Sequence, residues 1–157
     1  MVEISRQTPA DDPAIEDLLD RAFGPDRMAR PSYRLRQGAR PLTGLGFVAR
    51  DGDKLVGTLR FWPIAMGGAA LALLLGPLAV DEAYRHRAVA SSLINRGLEG
   101  TGPRTIIAVG DLGLFGRFGF IAATPLGLVM PGLADGDRLL VRGALDGVSG
   151  CLKPAPQ

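Results

Sequence analysis

The order of hydrophobic and polar residues predicts a strand and then a helix at the start of the chain. Residues 2–6 alternate between apolar and polar side chains, which is the two-residue period of a β-strand. The next apolar residues recur at spacings of three and four, on one face of a helix: Ile15, Leu18, Leu19, Ala22 and Phe23. Gly24 and Pro25 end that helix. A weaker helix is predicted over residues 26–40, broken by Pro31. Its arginines are interpreted as a solvated face, with an anion or acceptor site as the alternative.

Three further apolar stretches predict an antiparallel meander. The strands cover residues 46–50, 55–62 and 71–80, and they are separated by the turn signals Asp51-Gly52 and Gly67-Gly68. The first half of the third strand is apolar without alternation, which is typical of a strand buried on both faces of a sheet. The sequence therefore places this strand at the centre of the sheet.

A strand, a helix and a strand follow one another from residue 71 onwards. The helix is predicted over residues 91–98 and the next strand over residues 105–109. This order favours a right-handed crossover and parallel pairing of the two strands. A short helical turn over residues 112–118 and three later strands (120–123, 127–130 and 138–145) complete the elements. We predict one α/β domain over residues 1–150 and a loose, proline-containing tail over residues 151–157.

One stretch of 20 residues, 61–80, contains no charged side chain and has about the length of a membrane span. Gly67-Gly68 and Gly76-Pro77 divide it into pieces of strand length. Two buried strands are therefore favoured over a membrane helix, and no membrane association is predicted.

Composition narrows the range of partners. The 157 residues include 18 Lys and Arg and 16 Asp and Glu, so the net charge is only +2. No block of five or more basic residues is present, and nucleic acid is therefore not a predicted partner. The single cysteine, Cys151, forms no intramolecular disulfide and has no Cys or His neighbours to build a metal site. A cytoplasmic location is predicted, because reduced cysteines are usual there.

The segment that joins the central strand to the helix at Ser91 is a candidate anion site. The backbone N–H groups at the start of a helix point outward, and the helix dipole favours negative charge. Arg85 and Arg87 add positive charge beside this helix start. Taken alone, these residues fit a solvated basic turn equally well.

Motifs along most of the chain resemble those of a known family. Residues 75–84 (LGPLAVDEAY), Gly110-Asp111 and residues 116–120 (GRFGF) resemble the GNAT superfamily of acyl-CoA-dependent N-acyltransferases, and among them the YhbS-like predicted N-acetyltransferases. Residues 32–36, 60–63 and 147–150 also resemble that subgroup. The resemblance implies a single-domain α/β fold. Its mixed sheet has an antiparallel N-terminal meander and a splayed parallel pair of central strands, flanked by helices.

The same resemblance implies a function and a donor site. The expected activity is direct transfer of an acetyl group from acetyl-CoA to a primary amine, on a small molecule or a protein, without a metal. A bulge at Gly76-Pro77 would separate the two central strands. The residues expected to bind CoA are Leu78, Ala79, Val80, Arg85, His86, Arg87, Ala88, Val89, Ala90 and Ser91. The oligomeric state is left open, with a homodimer as one alternative.

The acceptor and catalytic residues are less clearly marked. The resemblance places the acceptor near the early helices and the strand over residues 55–62, and the candidates are Tyr33, Arg34, Phe61 and Trp62. Arg34 is suited to a carboxylate or phosphate of the acceptor. Asp111 is a weak candidate for the base, and a helix cap is the alternative role for it.

The sequence departs from the family pattern at two places. Ala88 stands where the pyrophosphate loop usually has glycine, and a positive φ there would cost an alanine about 1 kcal/mol. Phe115 stands where a tyrosine often protonates the leaving thiolate, and Leu114 occupies the neighbouring tyrosine position. These departures support an alternative function, a catalytically degenerate module that binds CoA or a protein partner and regulates without turnover.

Overall fold

The apolar stretches form the strands of a mixed sheet in the computed structural model, which describes residues 1–67, 70–85, 88–145 and 147–156. The strands are β1 (Val2–Arg6), β2 (Phe47–Asp51), β3 (Lys54–Ala65), β4 (Leu71–Val80), β5 (Ile106–Val109), β6 (Ile121–Ala122), β7 (Leu128–Val129), β8 (Leu139–Arg142), β9 (Gly150–Cys151) and β10 (Lys153–Pro154). The helices are α1 (Asp12–Phe23), α2 (Pro31–Arg34), α3 (Val89–Glu99) and α4 (Leu112–Phe115).

The larger sheet has the strand order β1-β2-β3-β4-β5-β8-β6, with β10 beside β3, and β7 pairs with β9 separately. The pairs β1–β2 and β2–β3 are antiparallel, as are β5–β8 and β6–β8, whereas β4 and β5 are parallel. The predicted mixed sheet, with an antiparallel N-terminal meander and a parallel central pair, is thereby confirmed. The splaying of the central pair stays a prediction.

Residue contacts divide the chain into two compact units, and β3 and β4 contribute residues to both. The first unit consists of Met1–Arg27, Pro41–Phe61 and Gly76–Gly102, and the second of Met28–Arg40, Trp62–Leu75 and Pro103–Gln157. The prediction of one domain over residues 1–150 stays a prediction.

The core of the first unit forms where α1 packs against strands. The apolar face predicted for α1 is buried, since Ile15, Leu18 and Leu19 are at most 1% exposed. One cluster unites these residues with strand residues: Ile15, Leu18, Leu19, Val48, Leu55 and Ala79. The helix ends at Phe23, and Gly24 follows with a φ of 86°. The three- and four-residue spacing therefore identified the buried face of α1 correctly.

Helix α3 lies close to β3 because Gly97 carries no side chain. A Cβ atom at residue 97 would lie 2.8 Å from Phe61 Cε1 and 3.0 Å from Leu59 Cδ2. Both of those side chains are fully buried. The close approach fixes the position of α3 on the sheet of the first unit, and with it the position of its N-terminal turn.

The arginines of residues 26–40 do not all lie on a solvated face. Arg27 is buried at 5% exposure, and its Nε donates a hydrogen bond to Asp20 Oδ1 at 2.9 Å while Glu16 pairs with its Nη2. Arg60 on β3 is buried similarly and donates from Nη2 to Asp12 Oδ1 at 2.9 Å. The carboxylates sit at every fourth residue of α1 and so share one helix face. The predicted helix over residues 26–40 is also wrong in extent, because only Pro31–Arg34 is α-helical.

Asp81 closes the end of β4 in the first unit. Its N–H donates to the carbonyl oxygen of Val56 at 2.8 Å, and its Oδ1 accepts a hydrogen bond from the N–H of Ala83 at 3.0 Å. Arg21 Nη1 donates to Asp81 Oδ2 at 3.1 Å, and Lys54 Nζ lies 3.7 Å from the same oxygen. The hydrogen bond from Ala83, with the nearby Arg21, lowers the pKa of Asp81.

We expect Asp81→Ala to lower the free energy of unfolding at pH 7 by about 1–3 kcal/mol, because it removes charge-assisted hydrogen bonds from a buried group. Because the folded-state pKa is lowered, this stabilisation is full above pH 3.8, the ordinary pKa of an aspartate, and is lost as the pH falls further. Urea denaturation of both proteins at pH 7 and pH 3 measures the effect. Asp81→Asn keeps an acceptor for Ala83 and should cost less. A loss of stability in Asp81→Ala that is as large at pH 3 as at pH 7 would contradict the attribution of this stabilisation to the ionised carboxylate.

The second unit contains the parallel ladder, in which Leu73 pairs with Ile106 and Leu74 pairs with Ile107. Strand β8 then pairs with β5 over four residues. The core of this unit comprises Leu35, Ile64, Met66, Ala72, Leu74, Ile107, Ala123, Leu128, Met130, Leu139, Val141, Val148 and Leu152. Ala72 and Leu74 of β4 lie in this core, and Leu73 and Leu75 are also buried, as expected for a strand with two buried faces. Leu71, the first residue of the strand, is 65% exposed.

The C-terminal residues differ from the loose tail that the sequence predicted for residues 151–157. Cys151 pairs with Val129, and Lys153 pairs with Ala65. The Leu152 side chain between them is only 1% exposed and joins the core of the second unit. Burial of this one leucine and pairing with existing strands order a segment whose prolines suggested a loop.

Most of the uncharged stretch over residues 61–80 lies in two strands. It provides the end of β3 and the whole of β4. In the described parts of the chain, no helix has the length and apolar character that a membrane span requires. The preference for buried strands over a membrane helix is confirmed for this stretch.

Candidate active site

The end of β4 presents alternate side chains to the core. Ala79 is buried at 4% exposure and packs in the core of the first unit, whereas Leu78 and Val80 on either side are half-buried. The peptide bond between Gly76 and Pro77 is cis. Binding of the pantetheine arm along the backbone of residues 78–80 stays a prediction.

A short turn over Glu82–Tyr84 carries the chain from β4 towards α3. The Tyr84 hydroxyl donates a hydrogen bond to Asp51 Oδ2 at 2.6 Å, and Lys54 Nζ lies 5.4 Å from the centre of the Tyr84 ring. These contacts fix the Tyr84 side chain, which in this position stabilises the turn. Arg85 follows in an extended conformation with an exposed side chain. His86 and Arg87, two of the expected CoA-binding residues, lie outside the described residues.

Ala88 begins α3 in the left-handed conformation, with φ 58° and ψ 17°. Its carbonyl oxygen accepts a hydrogen bond from the N–H of Ser92 at 3.0 Å. The N–H groups of Val89, Ala90 and Ser91 therefore precede the first hydrogen bond of the helix and point out of its end. Val89 is buried, whereas Ala90 and Ser91 are half-buried. The arrangement is a backbone cradle of the kind that binds phosphate groups.

A cavity of about 320 Å³ in the first unit opens beside this helix turn. Its lining residues are Met1, Val2, Ile4, Asp51, Val89 and Ser92. Its volume is at the lower end of the range for small-molecule pockets. The helix start is thus accessible from one side and packed against β3 on the other.

The left-handed backbone at residue 88 supports a test with matched glycine variants. Ala88→Gly should raise the free energy of unfolding by about 1 kcal/mol, because glycine adopts a positive φ without the steric cost of a Cβ. Ala90→Gly, two residues further on in the right-handed helix, should lower it by about 0.5–1 kcal/mol. Urea denaturation of the three proteins measures both effects. Equal shifts of the same sign would contradict the backbone conformation at Ala88.

Asp111 precedes the short helix α4 in the second unit, and Phe115 is the last residue of that helix. Asp111 occupies the position before the helix, but the cap is made by its backbone carbonyl, which accepts from the N–H of Phe115 at 3.0 Å. Its exposed carboxylate makes no capping hydrogen bond. Phe115 is 5% exposed and packs edge-to-face against Phe120, with ring centres 5.3 Å apart. Leu114 is only half-buried. The expected tyrosine acid position is therefore a core position here.

Three of the four acceptor candidates lie in the second unit with an arginine that the sequence did not single out. The guanidinium carbon of Arg36 lies 4.1 Å from the centre of the Tyr33 ring and 5.2 Å from the centre of the Trp62 ring. Arg36 is 8% exposed, whereas the two rings are half-buried. We call Tyr33, Arg36 and Trp62 the aromatic–arginine cluster. The spacing of three residues between Tyr33 and Arg36, typical of contacts within a helical turn, is the signal that could have identified Arg36.

Arg34 and Phe61 have contrasting surroundings. Arg34 is exposed, and its Nη1 lies 3.5 Å from the position that a Cβ of Gly132 would take. Phe61 is 0% exposed and packs under α3 in the first unit, where it offers no surface to an acceptor. Neighbouring residues of a strand point to opposite faces, so Phe61 enters the core while Trp62 stays partly accessible.

The class of protein follows from comparison with known families. The sequence model of the Acetyltransferase (GNAT) family matches residues 13–101, more than half of the chain. The matched range includes nearly all of α1, the meander, the turn after β4 and the N-terminal turn of α3. This chain belongs to the GNAT family.

Individual relatives extend the similarity over nearly the whole chain. The chain is 33% identical to the uncharacterized N-acetyltransferase YhbS of Escherichia coli K12, over 94% of this chain and 92% of that protein. A crystal structure of E. coli YhbS in complex with CoA has a TM-score of 0.79 and 34% identity, covering 97% of this chain and 88% of that one. A GNAT family acetyltransferase of Brucella melitensis in complex with acetyl-CoA has a TM-score of 0.73 and 25% identity, covering 98% and 95%. The YhbS-like character inferred from the motifs is thereby confirmed.

The described part of the chain contains no candidate metal site. No group of three or more His, Cys, Asp or Glu side chains lies close enough to hold a metal ion there.

Proposed function

We propose that this protein transfers an acetyl group from acetyl-CoA directly to a primary amine. The observation that carries the proposal is the start of α3, where the left-handed Ala88 leaves the amides of Val89, Ala90 and Ser91 directed out of the helix. Membership of the GNAT family and the CoA and acetyl-CoA complexes of two relatives support the choice of donor. Such a cradle binds phosphate through amides and the helix dipole, so Ala88 in place of glycine leaves the main binding groups intact.

In this proposal the two ends of the donor are held by different parts of the chain. The backbone of Leu78, Ala79 and Val80 pairs with the pantetheine arm, and the cradle of α3 holds the pyrophosphate. Arg85, which is exposed and lies three residues before Ala88 in the chain, adds positive charge for the phosphates. The packing of the first unit supports this division, because Ala79 is anchored in the core while its neighbours are partly accessible.

The reaction requires one bond to form and one to break. The lone pair of the neutral acceptor amine attacks the thioester carbonyl carbon, and a C–N bond forms. The C–S bond then breaks, and its electron pair leaves on the sulfur of CoA. The proton lost by the amine passes to water or to the exposed carboxylate of Asp111, and we propose that solvent protonates the thiolate. Holding amine and thioester together supplies much of the rate.

A second candidate function, CoA binding or protein binding without turnover, is favoured by one observation. Phe115 is buried against Phe120 and carries no proton to donate, and Leu114 carries none either. Loss of a general acid typically costs a factor of ~10²–10⁴ in rate. Turnover with an amine therefore decides between a slow transferase and a regulatory module.

Calorimetric titration with CoA, followed by a thiol-release assay over a panel of amines, tests the proposal. Binding with release of free thiol that depends on the amine supports the transferase. Binding without release supports the regulatory module. At a hundredfold excess over the Kd, CoA should stabilise the fold by ~2.7 kcal/mol. Folded protein without any stabilisation at millimolar CoA would falsify the donor assignment.

The proposal also covers the location of the protein, its acceptor and its oligomeric state. We propose a cytoplasmic location, on the ground of the single cysteine and the expected use of acetyl-CoA. The acceptor is a small molecule or a protein. A homodimer is one alternative for the oligomeric state, which size-exclusion chromatography with light scattering measures.

The missing acid suggests a pair of tyrosine variants. Phe115→Tyr should cost about 1–3 kcal/mol of stability without raising kcat, because it places a hydroxyl in the core. Leu114→Tyr, at the half-buried neighbour, should raise kcat by about tenfold with CoA affinity unchanged. This gain is below the full range for a general acid, since the new hydroxyl is not tuned for proton transfer. Steady-state kinetics with the best amine, together with CoA titrations, measures both variants. A faster Phe115→Tyr enzyme would reverse the assignment of the two positions.

A further inference from the structure

The second unit carries a concentration of positive charge that the small net charge of the whole chain conceals. It contains nine Lys and Arg residues and four Asp residues, whereas the first unit has more acidic than basic residues. Residues 28–40 alone include four arginines and no acidic residue: Arg30, Arg34, Arg36 and Arg40. An acceptor whose only charge is its ammonium group is repelled by such a surface.

Within this basic segment, one arginine is fixed and another is accessible. Arg36 is nearly buried and contacts the rings of Tyr33 and Trp62, which hold its charge at a defined place. Arg34 is exposed two residues earlier, and no ion pair joins its guanidinium to a carboxylate in the described part of the chain. Tyr33, which precedes Arg34 in the chain, and Trp62 are half-buried, so part of each side chain is accessible.

We propose that the acceptor is a small amine that also carries an anionic group, a carboxylate or a phosphate, and that Arg34 binds this group beside the aromatic–arginine cluster. The inference rests on the proposed acetyltransferase function and adds the class of acceptor to it. A guanidinium binds either oxyanion through two parallel N–H donors, so both sources fit the same site. The aromatic rings suit an apolar or planar body between the amine and the anion.

A matched set of amines tests this inference. Benzylamine and 4-(aminomethyl)benzamide lack an anion, 4-(aminomethyl)benzoate carries a carboxylate, and 4-(aminomethyl)phenylphosphonate carries a phosphonate in place of a phosphate. We expect kcat/KM to be at least tenfold higher for one or both anionic compounds than for the benzamide. The better of the two anionic compounds identifies the preferred oxyanion. Equilibrium binding of the same four compounds, measured by calorimetry with CoA present, provides a readout that does not need turnover.

Two arginine variants separate a specific site from the general charge of the surface. Arg34→Gln should reduce the preference for the anionic amine over the benzamide by about tenfold, mainly through the KM of the anionic amine. Arg40→Gln removes the same charge from an exposed arginine of the same segment and should leave the preference nearly unchanged.

The outcomes distinguish this inference from the proposed function. Absence of turnover with every amine, with anion-dependent binding that Arg34→Gln weakens, contradicts the transferase and supports the anion site. If the benzamide is acetylated at least as fast as the anionic amines and binds at least as tightly, the anion site is overturned. The proposed transferase function is then still supported. Equal effects of Arg34→Gln and Arg40→Gln also overturn it, because they indicate diffuse attraction.

Discussion

Replacing Ala90 with glutamate is expected to weaken CoA binding about a hundredfold without lowering the stability of the fold. Residue 90 lies in the first turn of α3, half-buried beside the outward-directed amides. A carboxylate there stabilises the helix through its dipole by about 0.3–1 kcal/mol. The same carboxylate repels a pyrophosphate, and unit charges ~5 Å apart at an effective dielectric of ~20 interact by about 3 kcal/mol. Because Ala90→Glu should bind CoA more weakly but be at least as stable as the wild type, loss of the binding site is distinguished from damage to the fold.

Calorimetric CoA titration and urea denaturation of wild type, Ala90→Glu and Ala90→Gln measure this prediction. The glutamine variant has nearly the same size without the charge, so it should retain most of the affinity. Raising the salt concentration should narrow the difference between the two variants, because exposed charges are screened. Unchanged affinity in Ala90→Glu would show that the pyrophosphate does not bind at the start of α3.

Replacing Gly143 with alanine is expected to lower the free energy of unfolding by about 3–5 kcal/mol. The residue follows β8 in the second unit with a φ of 102°, which disfavours any side chain. A Cβ there would also lie 2.5 Å from the carbonyl oxygen of Arg104, a backbone atom that has little freedom to move. The adjoining hydrogen bond from the Thr105 hydroxyl to the carbonyl of Ala144 holds the two segments together.

Gly127→Ala is the matched control for this steric contact. Gly127 also has a positive φ, 86°, but the nearest atom to a Cβ there is Ser149 Cβ at 3.9 Å, an ordinary contact. The control should therefore cost about 1 kcal/mol, from the backbone conformation alone. Urea denaturation of both variants gives the comparison. Equal costs would mean that residues 104 and 143 are further apart than the structure has them.

The start of α3 illustrates how far local sequence determines the backbone of a candidate site. A strand followed by small residues and a helix predicts an anion site before residue 91, and the family resemblance indicates that the alanine at position 88 is strained if its φ is positive. Both predictions concern neighbours in the sequence, and the left-handed φ of Ala88 agrees with the second. The amides of a helix start need no distant partner to point outward, so local sequence is enough to predict their direction, and binding of the pyrophosphate there stays a prediction.

The burial of Arg27 and Arg36 depends on contacts that the sequence does not encode locally. The arginines of residues 26–40 were interpreted as one solvated face, yet Arg27 and Arg36 are buried. Arg27 is neutralised by carboxylates of α1, and Arg36 lies against Trp62, 26 residues away in the sequence. Buried arginines need such partners, and only the tertiary structure supplies them.

The sequence by itself determined the meander, the buried face of α1, the parallel central pair and the family. Each of these follows from a period of two or of three and four residues, or from motifs contiguous in the chain. The tertiary structure alone decided that Phe61 enters the core, that Phe115 packs against Phe120, and that Leu152 orders the last strands. The reason is physical, because burial of a side chain is a property of what packs against it from other elements, and no local pattern records those neighbours.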